Sequence, residues 1–314
     1  MISLSDIAAE LRAGNNYLIY CHVRPDGDAA GSAGALTLGL RALGKTAFVA
    51  PHPTVMDRFA AYIEPYYAPA DFVPALSLSV DTPGPGQLVG RDGTTPVIDI
   101  AIDHHGSNAL YAKRSYVEGD SASCGELVYA LLLELGVTID RAMAEALYCA
   151  ITTDTGCFRT EVTTPRSLRI AATLRETGFD AYGLTHRLFE VKSPARLRLE
   201  SAIFTAMSYP RPDTACVVVD RAMLERCGVT ENDLDKISMQ LTAAEGVRYG
   251  IMLRELEPGR WKISVRTDGS VSAGAVAGIY PGGGGHKDSG GAVAKGDPAE
   301  LTERLYAALL HLIP

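Results

Sequence analysis

His22-Val23-Arg24-Pro25-Asp26-Gly27-Asp28-Ala29-Ala30-Gly31-Ser32 stands between an apolar run, residues 17–21, and an Ala- and Leu-rich stretch, residues 31–43. The first run is short and carries a β-branched residue, so it reads as a buried strand. The second reads as a helix stopped by Gly44. A loop between strand and helix lies at the carboxyl edge of an open α/β sheet, where ligands bind. Three potential metal ligands, His22, Asp26 and Asp28, fall inside this one loop, and Pro25 and Gly27 fit an irregular backbone that can aim them together. The plain reading of Asp28 is a helix cap, but a cap does not account for His22 and Asp26 beside it.

Working outward, helix and strand patterns alternate through the first two-thirds of the chain. Residues 5–12 read as a helix. Residues 46–50, 76–80 and 97–102 read as strands. Residues 124–135, 141–151, 165–176 and 181–190 read as helices. Such alternation predicts βαβ units and a mainly parallel sheet flanked by helices. The pattern changes near residue 190. Residues 193–207 suit a helical connector. Beyond Pro210 and Pro212 come a strand at 215–219, a helix at 231–244, and strands at 247–255 and 261–266 around the turn Glu257-Pro258-Gly259. A short helix at 271–280, a Gly-rich loop and a helix at 299–312 complete the chain. The expected organisation is an α/β catalytic domain over 1–190, a linker over 191–208 and a smaller mixed α/β domain over 209–314, with the active site in the cleft between them.

Composition limits the function. The chain has 314 residues, enough for about two domains. Its 47% hydrophobic and 21% charged residues suit a packed globular protein. A net charge of −8 argues against a broad surface for long duplex nucleic acid or an anionic membrane. It leaves room for a short phosphorylated ligand, because metal ions and a few local cations offset the protein's own field. No apolar run reaches the ~18 residues that span a bilayer, and residues 1–16 lack the apolar core of a signal peptide. None of the six cysteines is spaced Cys-x-x-Cys, so reduced, packed thiols are expected, in a cytoplasmic protein.

Three further sites carry chemistry. Asp103-His104-His105 follows the strand at 97–102. Neutral imidazole is a common metal ligand, and a neighbouring carboxylate can hold its tautomer. Asp81 ends the strand at 76–80, and Asp154 follows an apolar helix in Thr152-Thr153-Asp154-Thr155-Gly156. Each alone reads as a turn or cap residue. Together they place Asp or His at four element ends, which a parallel sheet gathers on one edge. Six oxygen and nitrogen donors without sulfur suit two divalent ions, manganese first, with magnesium, iron or cobalt as competitors. A metal pair clamps a phosphoryl oxygen and neutralises its charge. In the C-terminal part, Gly282-Gly283-Gly284-Gly285-His286 is too far from a Walker sequence to be a P-loop. With Lys287 and Arg266, at the end of a probable strand, it reads as a phosphate cradle.

These motifs, in this order and over nearly the whole chain, resemble the DHH phosphoesterases, and among them the bacterial nano-RNase/pAp phosphatase group. The resemblance rests on His22 to Ser32, Asp81, Asp103-His104-His105-Gly106-Ser107-Asn108, Thr153-Asp154-Thr155-Gly156-x-Phe158-Arg159, and Gly282 to His286. It implies a two-domain hydrolase with two Mn²⁺ ions. His22, Asp26 and Asp81 would bind one ion. Asp28, Asp81, His104 and Asp154 would bind the other, with Asp81 bridging. His105, with Asp103, would act on the scissile phosphate or the leaving oxygen, and Arg266, Gly283, Gly284, Gly285 and His286 would hold the nucleotide. The implied substrates are short RNA, adenosine 3′,5′-bisphosphate (pAp), and linear or cyclic dinucleotides, and a homodimer is the family-level expectation. One departure stands out: Lys287-Asp288-Ser289 replaces the small residues usual after the glycine run. A manganese inorganic pyrophosphatase and a catalytically silent nucleotide sensor are the alternatives. All ligands are present, which opposes the sensor, and the Gly-rich run favours a nucleotide over pyrophosphate.

Overall fold

The computed structural model describes residues 1–313. The chain divides into two units, Met1–Val191 and Lys192 onward. In the first, α1 (Leu4–Ala13), β1 (Tyr17–Tyr20), α2 (Gly27–Ala42), β2 (Ala47–Val49), α3 (Asp57–Ile63), β3 (Leu76–Val80), β4 (Ile100–Asp103) and β5 (Arg114–Val117) are followed by four helices. These are α4 (Cys124–Glu134), α5 (Arg141–Asp154), α6 (Pro165–Arg175) and α7 (Ala181–Thr185), the last running into a π turn at His186–Glu190.

The five strands form one parallel sheet in the order β2-β1-β3-β4-β5. Its inner strands bury all or most of their residues, as both-sided helix cover requires. Strand order reverses between β1 and β3. That reversal opens a crevice at the carboxyl ends of these two strands, the usual ligand position in such a sheet. The expected parallel α/β fold is present. Strand β5 and helix α3 lie outside the sequence expectation, and the helix expected over 181–190 is α-helical to Thr185 and π-helical from His186 to Glu190.

Helix packing sets the site. Helix α2 lies so close to α5 that a Cβ on Gly31 would meet the carbonyl oxygen of Ala146 at 2.3 Å. Only glycine permits that approach. The beginning of α2, with Asp28, thereby comes to the end of α5, with Asp154.

The second unit contains α8 (Pro194–Ala206), β6 (Ser208–Arg211), β7 (Thr214–Val219), α9 (Arg221–Cys227), β8 (Tyr249–Glu257), β9 (Arg260–Thr267), α10 (Ala273–Ala277), β10 (Gly284–Gly285), β11 (Ser289–Lys295) and α11 (Pro298–Leu312). Its mixed sheet runs β10-β11-β9-β8-β7-β6, with β7 and β8 the parallel pair. The stretch expected as a linker is α8, and its Leu199 and Ile203 are buried in one cluster with Val217 and Met252. It is part of this unit by packing.

The helix expected over 231–244 is instead two 3₁₀ turns, Glu231–Leu234 and Ile237–Thr242, broken by Lys236 at φ +50°. The Arg196 guanidinium from α8 donates to the carbonyls of Asp233 and Asp235. Those are acceptors that a continuous helix would have used for itself.

Candidate metal centre

Four backbone segments deliver the side chains. His22 follows β1, Asp81 follows β3, Asp103 ends β4 and is continued by His104 and His105, and Asp154 is the last residue of α5. Asp26 and Asp28 sit at the start of α2. The helix cap is Asp26, whose Oδ1 accepts from the N–H of Asp28 at 3.1 Å and of Ala29 at 3.2 Å. Asp28 is not the cap. It lies within the helix, fully buried.

Asp28 is held from another element. Its Oδ2 accepts from the N–H of Cys124 at 2.6 Å, and its Oδ1 from Gly125 at 2.9 Å and from the Ser32 hydroxyl at 3.0 Å. The two N–H groups open α4, whose own N-cap residue, Ser123, makes no capping bond. A carboxylate from α2 thus satisfies the exposed donors and positive pole of α4.

The six expected ligands converge. His104 Nε2 lies 3.4 Å from Asp81 Oδ1, 3.4 Å from Asp154 Oδ2 and 3.7 Å from Asp28 Oδ2. His22 Nε2 lies 3.7 Å from Asp81 Oδ2 and 3.8 Å from Asp26 Oδ1. Each of the triads His22–Asp26–Asp81 and Asp28–His104–Asp154 brings its donor atoms within 4.8 Å of one another. The two Asp81 oxygens face the two groups separately, one toward His22 and one toward His104.

Two observations fit a cation here. Asp81 Oδ1 and His104 Nε2 are buried without a hydrogen-bond partner. Such atoms are costly unless something else satisfies them. The charge balance agrees. Burial raises the Asp28 carboxyl well above its usual range, and the charges of Asp81 and Asp154 add to that rise. Burial alone would lower His104, yet the surrounding Asp81, Asp28 and Asp154 lift it to about 10. His22 is also raised, against burial, by Asp26 and Asp81. A site that draws protons onto its imidazoles this strongly will also draw metal cations.

The imidazoles are oriented differently. His104 Nδ1 donates to the Ser121 carbonyl at 3.2 Å, so that in the neutral ring Nε2 is the nitrogen whose lone pair faces the carboxylates. His105 Nδ1 donates to Asp103 Oδ1 at 2.8 Å. Asp103 also accepts from the His104 N–H at 2.9 Å and from Asn108 Nδ2 at 2.6 Å. The Asp103 hydrogen bond raises His105 above its ordinary value. Burial works to raise Asp103 itself, but the bonds from His105 and Asn108 hold it below the usual range. Asp103 supports His105 and is not one of the converging donors.

Asp81 has φ +51°, a left-handed conformation uncommon outside glycine and tolerated best by Asn and Asp. Strain of this kind gathers at functional sites. Sequence reasoning gave no site role to Ser121, Cys124 or Gly125. Their contributions are mostly backbone groups, which carry no residue signature. His52 was also missed. It lies 3.2 Å from the Cys21 sulfur, and burial, with His22 nearby, lowers it to about 4. Cys21 and the other five thiols are free.

The expected nucleotide residues lie in the second unit. Arg266 is half-buried on β9 and donates to the Ser238 hydroxyl at 3.2 Å. Burial lowers it, while Asp288 acts in the opposite sense. The glycine run is more tightly built than a free loop. A Cβ on Gly285 would meet the Ser289 carbonyl at 2.3 Å, and Gly285 has φ +145°. The N–H groups of Gly283 and His286 already donate, to Tyr280 and Ser289 carbonyls at 2.9 and 2.7 Å. Gly284 has open space on its Cβ side. Among the described residues no helix is long and apolar enough to cross a membrane.

Residues 16–151 match the model of the DHH family, N-terminal domain, and residues 216–313 match the DHHA1 domain. The sequence is 34% identical to the bifunctional oligoribonuclease and PAP phosphatase NrnA of Thermus thermophilus, over 93% of this chain and 88% of that protein. An exopolyphosphatase-related protein from Bacteroides fragilis superposes with a TM-score of 0.87 at 22% identity, covering 98% of this chain and 96% of the other. The exonuclease RecJ, crystallised bound to manganese, superposes with a TM-score of 0.55 at 15% identity over 98% of this chain and 94% of its own. Both structural likenesses speak to the fold.

Proposed function

Since the chain belongs to the DHH family, we propose that it is a metal-dependent phosphoesterase that hydrolyses short oligoribonucleotides to mononucleotides and pAp to AMP. One observation carries the reading: Asp81 Oδ1 and His104 Nε2 stand 3.4 Å apart, buried and without a hydrogen-bond partner, inside a ring of carboxylates. The names of the full-length relatives support the same activity class.

In this reading His22, Asp26 and Asp81 hold one divalent ion, and Asp28, Asp81, His104 and Asp154 hold the second. Manganese is the ion we favour, because hard carboxylates with two imidazoles and no thiolate suit it. When bound, such a pair activates water and neutralises phosphoryl charge. The chain's own residues do the rest. The Ser121 carbonyl and the N–H groups of Cys124 and Gly125 hold His104 and Asp28 in register. Asp103 keeps the proton on His105 Nδ1, which leaves Nε2 to meet the phosphoryl or leaving oxygen. The bond from Asp103 raises His105, so the ring keeps its proton to higher pH than a free imidazole, as a donor to the leaving oxygen requires. Arg266, Gly284 and His286 hold the nucleotide phosphate, with Gly283 and Gly285 shaping the run.

The test is a substrate panel in Mn²⁺, with pAp, pApA and pyrophosphate at equal concentration, resolved by chromatography, beside the Asp154→Asn variant. AMP from the two adenylates, lost in the variant, is the expected result. Faster turnover of pyrophosphate would overturn the reading in favour of a pyrophosphatase. Binding of pApA without product would overturn it in favour of a silent sensor.

A further inference from the structure

The second unit carries a polar depression of which the roles above use only Arg266, at one end. It encloses about 380 Å³ on one face of the mixed sheet. The opposite face is the apolar one, where Ile251, Leu253, Ile263 and Val265 pack with α10 and α11. Strand alternation therefore turns Arg254 of β8, and Lys262, Ser264 and Arg266 of β9, to the same side. Arg254 is in register opposite Lys262. Lys236 reaches the depression from the break between the two 3₁₀ turns.

The local charge is the reverse of the global one. Four cations, Lys236, Arg254, Lys262 and Arg266, line the depression against one anion, Asp235, in a chain of net charge −8. Asp288 also stands near Arg266. The Arg254 guanidinium has no hydrogen bond or ion pair among the described residues. A half-buried guanidinium left unpaired on a rigid strand is suited to a phosphodiester oxygen. Leu234 and Met252 supply an apolar wall for a base.

A second depression of about 320 Å³ continues past Arg254 and Leu234. There Arg221 and Arg254 are matched by Glu225 and Glu255, so the positive strip ends. The strip runs along β9 from Arg266 to Lys262. At about 3.3 Å per residue, the four steps from Lys262 to Arg266 span roughly 13 Å. That length accommodates a nucleotide step or two, and no long strand.

We propose that this depression binds the nucleotide adjoining the one held at Arg266, with Arg254 and Lys262 on its phosphate. The inference rests on the function proposed above. It makes the depression the feature that distinguishes oligoribonucleotides, which reach it, from pAp, which has no adjoining nucleotide. Arg254 is then a specificity residue that sets the ratio of the two activities.

The experiment compares kcat/KM for pApApA and for pAp in saturating Mn²⁺, using the full chain, Arg254→Gln and Arg254→Lys. With Gln, the pApApA-to-pAp ratio falls at least tenfold. Lys, which restores the charge without the fork, recovers part of it. The log–log salt dependence of pApApA turnover becomes shallower in Arg254→Gln by about 0.7, the value for one phosphate contact on a single strand. An unchanged ratio, whether both rates hold or both fall together, overturns the inference. Absence of turnover of either substrate by the unmodified chain would instead overturn the proposed function, and the two failures are distinct.

Discussion

Replacing Asp81 with Asn separates the charge of the carboxylate from its shape. Asn tolerates the left-handed backbone at this position, φ +51°, so the substitution leaves the turn intact, whereas Ala would add strain. Each Asp81 oxygen faces a different donor group, His22 on one side and His104 on the other. On the proposed ligand set, the variant therefore weakens binding of both ions. At free Mn²⁺ of about 100 times Kd, one ion stabilises a folded chain by about 2.7 kcal/mol, and two by roughly 5. For a unit of this size, about 2–4 °C corresponds to 1 kcal/mol, so the intact protein gains roughly 10–20 °C. Losing groups behind a metal ligand costs 10–100-fold in affinity, and loss of the ligand itself belongs at the upper end. A hundredfold weaker site contributes about 0.4 kcal/mol at the same Mn²⁺, and the gain shrinks to roughly 2–3 °C. Without metal the substitution relieves the repulsion between Asp81 and Asp28 but removes the attraction of Asp81 for His104 and His22, so the two effects oppose and Tm in EDTA should change little. Thermal melts in EDTA and in Mn²⁺ measure both quantities. A variant that keeps more than half of the Mn²⁺-induced shift, or that melts much earlier in EDTA, would refute the assignment of Asp81 to the ions.

Three other outcomes follow from the same geometry. In metal-stripped protein, His104 is raised from 6.5 to about 10, so its contribution is complete below pH 6.5 and fades as pH rises toward 10; melts in EDTA should show falling Tm from pH 7 to 9, and saturating Mn²⁺, which requires the neutral ring, should remove this component of the fall. Asp103→Asn withdraws the charge that raises His105, so kcat should drop by about 10²–10⁴ and its alkaline limb should move to lower pH, while the Mn²⁺-induced Tm shift stays close to that of the unmodified protein. Gly31→Ala drives a methyl group against the Ala146 carbonyl; urea denaturation should show a loss of about 1–3 kcal/mol, and Mn²⁺ titration should show weaker binding, because α2 and α5 carry Asp28 and Asp154.

Much of the site was legible because its side chains sit directly after apolar runs. The strands β1, β3 and β4 are short and buried, and the segments directly behind them hold His22, Asp81 and His104. A parallel sheet allows few places for such loops to go. Other parts were illegible for definite reasons. Strand β5 is only partly buried, Ser115 alone being fully so, and an edge strand of this sort lacks the apolar run that marks an inner one. The region 231–244 has helical spacing at Ile237 and Leu241, yet Arg196, some 40 residues earlier, takes the carbonyls a helix needs. The glycines at 283 and 285 were read as space for a ligand. In the structure they give space to the chain's own backbone, a distinction that residue identity does not encode. The same holds for Asp28, whose helix-cap role in the sequence is held by Asp26, and whose own partners are backbone N–H groups almost a hundred positions away.

The proposed donors for the ions are drawn from both ends of the first unit, with His22 near its beginning and Asp154 at the close of α5. A chain emerging from the ribosome holds no complete pocket until the fifth helix has been made and docked. On the proposed ligand set, the complete second site therefore forms only once α5 has docked against α2. On the ligand set proposed above, a product lacking α5 would lose Asp154 and leave the second ion to Asp28, Asp81 and His104 alone.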